Sequence, residues 1–145
     1  LASLEAPELA ERVLDFLRSE DDERELELSL NERQVSGRLT RLMDWVRGHP
    51  ALPHTLRSLA ERAAMSPRTL QRQFHDATGM APYEWLVRER VAIARELLEA
   101  QGALPMARVA ELAGFGSEES LRRHFRRIAL TSPGAYRKKF GAPTA

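Results

Sequence analysis

The sequence predicts an all-α protein: two helix-turn-helix units joined by a long central helix and preceded by an N-terminal helical and linker segment. Three observations predict it. First, the chain repeats itself between Leu59 and Tyr136. Leu59-Ala60 and Met65 recur as Val109-Ala110 and Phe115 at an offset of 50, and Leu70, Arg72, Phe74, Pro82 and Trp85 recur as Leu121, Arg123, Phe125, Pro133 and Tyr136 at an offset of 51. The one-residue slip falls between Met65-Ser66 and Phe115-Gly116-Ser117, where each copy turns. Second, apolar residues recur at helical spacing almost throughout, while strand-like alternation is confined to Leu26, Leu28 and Leu30. Third, helix-start signals stand where each copy needs them, as at Thr55, Ser66-Pro67 and Ser132-Pro133.

In chain order, Pro7 to Arg18 puts Leu9, Val13, Phe16 and Leu17 on one helical face, with proline and acids in its first turn. The acidic run Glu20–Glu25 reads as solvated, and Glu25–Leu30 fits a short strand, an extended linker or a docking segment equally well. A helix from about Ser36 to Gly48 buries Leu39, Leu42, Met43 and Val46 with Trp45 at its edge, and Gly48-His49-Pro50 stops it. The first helix-turn-helix spans about 55–79: Thr55 caps a helix to about Ala64 with Leu56, Leu59, Ala60 and Ala63 inward, and Ser66-Pro67 opens a second carrying Leu70 and Phe74. The linker helix, about 82–101, has Trp85, Leu86, Ile93, Leu97 and Leu98 as its inner stripe. Its roughly 30 Å length is close to the ~34 Å between successive major-groove faces on one side of B-DNA. The second unit spans about 106–129, turning at Gly114-Phe115-Gly116, and a short helix at about 133–140 bears Tyr136 and Phe140.

At 145 residues the chain suffices for one domain with a proper core, alone or with an appendage. It has no cysteine, which excludes disulfides, thiolate metal sites and a cysteine nucleophile. No apolar run approaches a membrane span and no secretory signal opens the chain, so no membrane partner is expected. The first residue is Leu1 rather than Met, which reads as a fragment or processed product. The net charge of +1 conceals a split. Residues 1–35 hold eleven acids and four arginines, a net of −7; residues 36–145 hold the other 18 basic and 10 acidic side chains, a net of +8. Only the second half suits a polyanion. The domains expected are therefore an acidic segment over 1–35, a candidate interdomain or dimerisation surface, and a basic domain over 36–145. Two tandem helix-turn-helix units with arginine-rich second helices point to DNA.

Leu59-Ala60, the run Met65-Ser66-Pro67-Arg68-Thr69-Leu70-Gln71-Arg72-Gln73-Phe74, Gly79 and Pro82 resemble the first helix-turn-helix of the AraC/XylS family of bacterial transcription regulators. Val109-Ala110, Gly114-Phe115-Gly116-Ser117, Leu121-Arg122-Arg123-His124-Phe125, Ser132-Pro133 and Tyr136-Arg137 are similar to that family's C-terminal signature. The resemblance covers roughly residues 38–140, and its wording is similar to the subgroup with an N-terminal amidotransferase-like domain. It departs at Leu130-Thr131, where the family usually keeps a glycine.

The resemblance implies a sequence-specific transcription regulator, usually an activator, whose helices Pro67–Ala77 and Ser117–Ile128 enter successive major grooves. Arg68, Gln71 and Arg72 would then read bases in the first groove, and Glu118, Glu119, Ser120 and Arg123 in the second. The chemistry suits: arginine pairs bidentately with guanine, glutamine with adenine, and glutamate accepts from the cytosine amino group. Glu118 and Glu119 also have a plain helical role, since acids in a first turn complement the dipole. Ser66 and Ser117 would contact phosphate as well as cap, and Arg126, Arg127, Arg137, Lys138 and Lys139 form a basic group suited to phosphates. The partners implied are double-stranded promoter DNA, RNA polymerase, a sensor domain N-terminal to this segment, and a second copy in a homodimer. The location implied is the bacterial cytoplasm, at the nucleoid.

Nothing in the sequence suggests an enzyme, a cofactor or a metal. His49, His54, His75 and His124 lack metal-ligand spacing and read as surface residues, and there is no phosphate-cradling glycine loop, nucleophile elbow or acid pair. The competing class is a helical protein-interaction module whose basic face meets an acidic protein partner.

Overall fold

The computed structural model describes residues 12, 33–100 and 103–142. The expected helix over Pro7–Arg18 and the Glu25–Leu30 segment lie almost wholly outside the described residues. The chain divides into two compact units, Leu1–Arg38 and Leu39–Ala145, and the second carries both helix-turn-helix units.

Residues 33–48 are helical and form α1, which is already formed ahead of the Ser36 start expected. Then come α2 (Leu56–Ala63), α3 (Pro67–Thr78), α4 (Pro82–Glu99), α5 (Met106–Ala113), α6 (Glu118–Ala129) and α7 (Pro133–Phe140). No described residue is in a strand. The starts of α2, α3, α6 and α7 carry side-chain caps. Thr55 Oγ1 accepts from the Ser58 amide (3.0 Å) while Ser58 Oγ accepts from the Thr55 amide (2.9 Å). This is a capping box with serine in the place usually taken by Glu or Gln. Ser66 accepts from the Thr69 amide (3.2 Å), Ser117 from Ser120 (3.0 Å) and Ser132 from Ala135 (3.1 Å). Each such cap is worth about 1 kcal/mol.

The ends follow the repeat as closely as the starts. Among the described residues four take the left-handed conformation, and they pair at the repeat offsets: Ala64 (φ 55°) with Gly114 (φ 93°), and Gly79 (φ 73°) with Leu130 (φ 60°). One member of each pair is the glycine that this region favours.

The core lies in two parts along α4. Leu39, Leu42 and Val46 of α1, Leu59, Ala60 and Ala63 of α2, and Leu70 and Phe74 of α3 surround Trp85 and Leu86. Val109, Ala110 and Ala113 of α5, Phe115 of the turn, and Leu121 and Phe125 of α6 surround Val87, Val91, Ala94 and Leu98. Helix α4 therefore belongs to both. Its inner face differs from the expected stripe: Ile93 and Leu97 are only half-buried, while Val87, Val91 and Ala94 are fully buried. The reason is that α3, α5, α6 and α7 all pack on this one helix, so its buried surface wraps beyond one face. Leu56 and Met43, expected inward, are likewise half-buried. No described helix is long and apolar enough to cross a membrane.

Candidate nucleic-acid interface

The buried faces of α3 and α6 fix what their other faces offer. Leu70 and Phe74 are 0% exposed, as are Leu121 and Phe125, so neither helix can rotate without opening the core. The opposite face of α3 carries Arg68, Gln71, Arg72 and His75, all exposed. Arg68 and Arg72 are four residues apart and so share a side of the helix.

On α6 the exposed residues are Glu119, Arg122, Arg123, Arg126 and Arg127. Glu119, Arg122, Arg123, Arg126 and Ser132 line one surface groove, so two of the base-reading candidates and one phosphate candidate come together there. Arg122 and Ser132 join them without having been expected. The sequence signal for Arg122 was its position in the same arginine run; for Ser132 it was the cap that starts α7 beside this helix. Glu118 and Ser120 are set differently. Both are half-buried, the Glu118 carboxylate accepts from Arg122 at 2.9 Å, and the Ser120 amide is taken by the Ser117 cap.

The basic residues expected on phosphates divide. Arg126, Lys138 and Lys139 are exposed, with the Lys139 ammonium 5.3 Å from the Phe140 ring centre. Arg127 instead forks onto both carboxylate oxygens of Glu84, at 2.9 and 3.0 Å, tying α6 to the start of α4. That pairing holds the Glu84 carboxyl below its ordinary range, and Arg88 adds to the effect at 3.3 Å. Arg137 donates to the Leu104 carbonyl at 2.6 Å and is half-buried. Ser66 keeps its hydroxyl on Thr69 Oγ1 (2.9 Å), and Ser66 and Ser117 are both exposed.

Three of the four histidines make specific contacts. His49 donates from Nδ1 to the Trp45 carbonyl (2.9 Å) and stacks on that ring, and His54 donates from Nε2 to the His49 carbonyl (2.8 Å). His124 is half-buried between Phe115 and Tyr83, and His54 is half-buried too, while His49 and His75 have the exposed setting expected. Among the described residues no cluster of histidine and acidic side chains could hold a metal.

Two arginine-bearing helices, each the second of a capped helix-turn-helix and each locked by its own core, define a tandem helix-turn-helix DNA-binding domain. A family model described as a helix-turn-helix domain matches residues 59–139, and the chain belongs to the AraC/XylS-type helix-turn-helix family of transcription regulators. The regulator Rv1931c of Mycobacterium tuberculosis is 43% identical over 94 residues, 65% of this chain and 36% of that protein. The transcriptional activator RhaS of Salmonella schwarzengrund is 31% identical over 131 residues, 90% of this chain and 47% of its own. Among solved structures, the DNA-binding domain of AdpA in complex with a target DNA is 40% identical, with a TM-score of 0.67, over 70% of this chain and 91% of that one. The chain thus spans less than half the length of these two full-length relatives.

Proposed function

We propose that this domain reads promoter DNA by seating α3 and α6 in successive major grooves, and that it activates transcription. The observation that carries the proposal is the matched pair of exposed faces opposite Leu70/Phe74 and Leu121/Phe125. The AdpA domain, similar at 40% identity, was solved on a target DNA, which favours DNA over an acidic protein as the polyanion. Helix α4 supports the geometry: 18 residues give a rod of about 27 Å, comparable with the ~34 Å groove repeat.

Arg68, Gln71 and Arg72 are the base readers of α3, and Glu118, Glu119, Ser120 and Arg123 those of α6. Of the latter, Arg123 and Glu119 are the open ones; Glu118 reaches a base only by leaving Arg122. Ser66, Ser117, Arg126, Lys138 and Lys139 take phosphates, and Arg127 and Arg137 do so only through the guanidinium edge left by their internal bonds. A sensor domain N-terminal to this segment, possession of the amidotransferase-like subgroup's architecture, contact with RNA polymerase, homodimerisation and action at the bacterial nucleoid belong to the same proposal.

The test is selection of bound duplexes from a randomised ~25 bp pool at about 150 mM salt, where loose phosphate binding is suppressed. Two short blocks about one helical turn apart are expected. Arg72→Ala and Arg123→Ala should each lose about 1–3 kcal/mol of discrimination at particular base pairs, whereas Lys138→Ala should weaken all sequences alike. Even losses on every duplex for the two arginine variants would refute the assignment of base readers.

A further inference from the structure

The two units are joined by more than α4. The loop between α1 and α2 crosses to the second unit, held by polar bonds to α4 and lying close against the α5–α6 turn. Arg90, half-buried on α4, donates from Nε to the Pro50 carbonyl (3.2 Å) and from Nη2 to the Leu52 carbonyl (2.9 Å). The Pro50 carbonyl in turn lies on the α5–α6 turn. A Cβ added to Gly114 would stand 2.0 Å from that oxygen and 2.6 Å from Arg90 Nε. Glycine is needed at 114 twice over, for its φ of 93° and for this approach.

We infer that Arg90 is a positioning residue that fixes the spacing of the two recognition helices by clamping the α1–α2 loop to the α5–α6 turn. The inference rests on the proposed bipartite reading of DNA. Apolar packing holds each unit to α4 separately: the first core part ends at Leu86 and the second begins at Val87. Each unit is therefore anchored to the rod, and the two meet here, where the loop that Arg90 holds by two carbonyls lays the Pro50 carbonyl against Gly114. The clamp stands at consequential points. The loop runs into Thr55, the cap of the first helix-turn-helix, and the turn runs into Ser117, the cap of α6. A shift at the clamp therefore moves one reading helix relative to the other. An arginine fork suits the task, since its donors are fixed in a plane and lose little freedom on bonding.

The chain has no cysteine, so Asp76→Cys on α3 and Arg122→Cys on α6 place two unique spin labels. The distance between them, measured on the free full chain, should be a single narrow peak. Arg90→Met, which keeps the apolar stem, should broaden or shift that peak, and Arg90→Lys should restore it only in part. On DNA, the duplex selected above is re-spaced by one and two base pairs in each direction. The native chain should lose tenfold or more per step, about 1.4 kcal/mol, while Arg90→Met should lose less than threefold and bind a single block as the native chain does. An unchanged peak with an unchanged spacing profile would overturn the clamp. Equal loss on single blocks and paired blocks would overturn it too, making Arg90 a general stability residue. A broadened peak from a chain that selects no duplex would leave the clamp standing and remove the DNA reading instead.

Discussion

His124 shows how a residue inside a reading helix is governed by what packs over it. Its ring is stacked 5.9 Å from Phe115 and edge-on 6.5 Å from Tyr83, and its Nδ1 is buried without a partner. Burial lowers its pKa, and Arg123 and Arg127 push the same way. The unfolded chain therefore binds the proton more readily than the native one. The stability this histidine contributes is whole above its ordinary value of about 6.5 and is lost as pH falls through the lowered native value. Thermal unfolding followed between pH 7.5 and 5 should show a falling midpoint, and His124→Gln should flatten that fall. Glu84 acts in the same sense lower down. Its carboxyl is depressed chiefly by the hydrogen bond from Arg127, so its contribution is complete above the ordinary carboxylate range and disappears as pH drops through the native value; Glu84→Gln should remove that lower step. What the sequence could show at this scale was the pair of buried anchors on each reading helix, because Leu121 and Phe125 are four apart. The setting of His124 was not visible, since Phe115 comes from a turn and Tyr83 from α4. Local periodicity carries no record of either.

Helix boundaries were the most legible elements, and the repeat explains why. A capping serine, a following proline and a terminal glycine act through bonds within four residues, so each is written in the adjacent sequence. The inner stripe of α4 was less legible, because a helix covered by four others is buried on more than one face and loses its simple period. The paired left-handed ends give a test at this scale. Helices α3 and α6 stop in the same conformation, at Gly79 and Leu130, but Leu130 holds φ 60° while 86% exposed. A side chain in that region costs about 1 kcal/mol or more and gains nothing from burial here. Leu130→Gly should relieve the strain, offset in part by the extra freedom of glycine in the unfolded chain. A net gain of about 0.5–1 kcal/mol is expected in denaturant titration. Gly79→Ala meets no atom within 4 Å, so it should show the backbone strain with no steric clash, a net loss of up to about 1 kcal/mol after the reduced freedom of the unfolded chain is set against it. If both substitutions moved stability in the same direction, conformational strain would not be what distinguishes the two ends.

At the scale of the whole molecule, the question is whether two helix-turn-helix units with separable cores unfold as two bodies or one. The repeat in the sequence suggests two, but Leu86 and Val87 are neighbours on one helix and belong to different core parts. The bidentate bond from Arg127 to Glu84 and the Arg90 clamp add polar ties. One cooperative transition is therefore expected. The chain supplies its own reporter, for it has two tryptophans, and Trp45 and Trp85 both lie at the first core part. Phe125 is fully buried in the second. Phe125→Ala should cost about 3–5 kcal/mol. If the domain is one cooperative body, tryptophan fluorescence should register that loss in full, with a midpoint that falls together with the helix signal in circular dichroism. If the units unfold apart, the fluorescence midpoint of Phe125→Ala should stay where the native chain has it while half the helix signal melts early. Only the first outcome fits a domain that presents its two reading helices to DNA as a rigid pair, because a second unit able to melt alone could not hold α6 in register with α3.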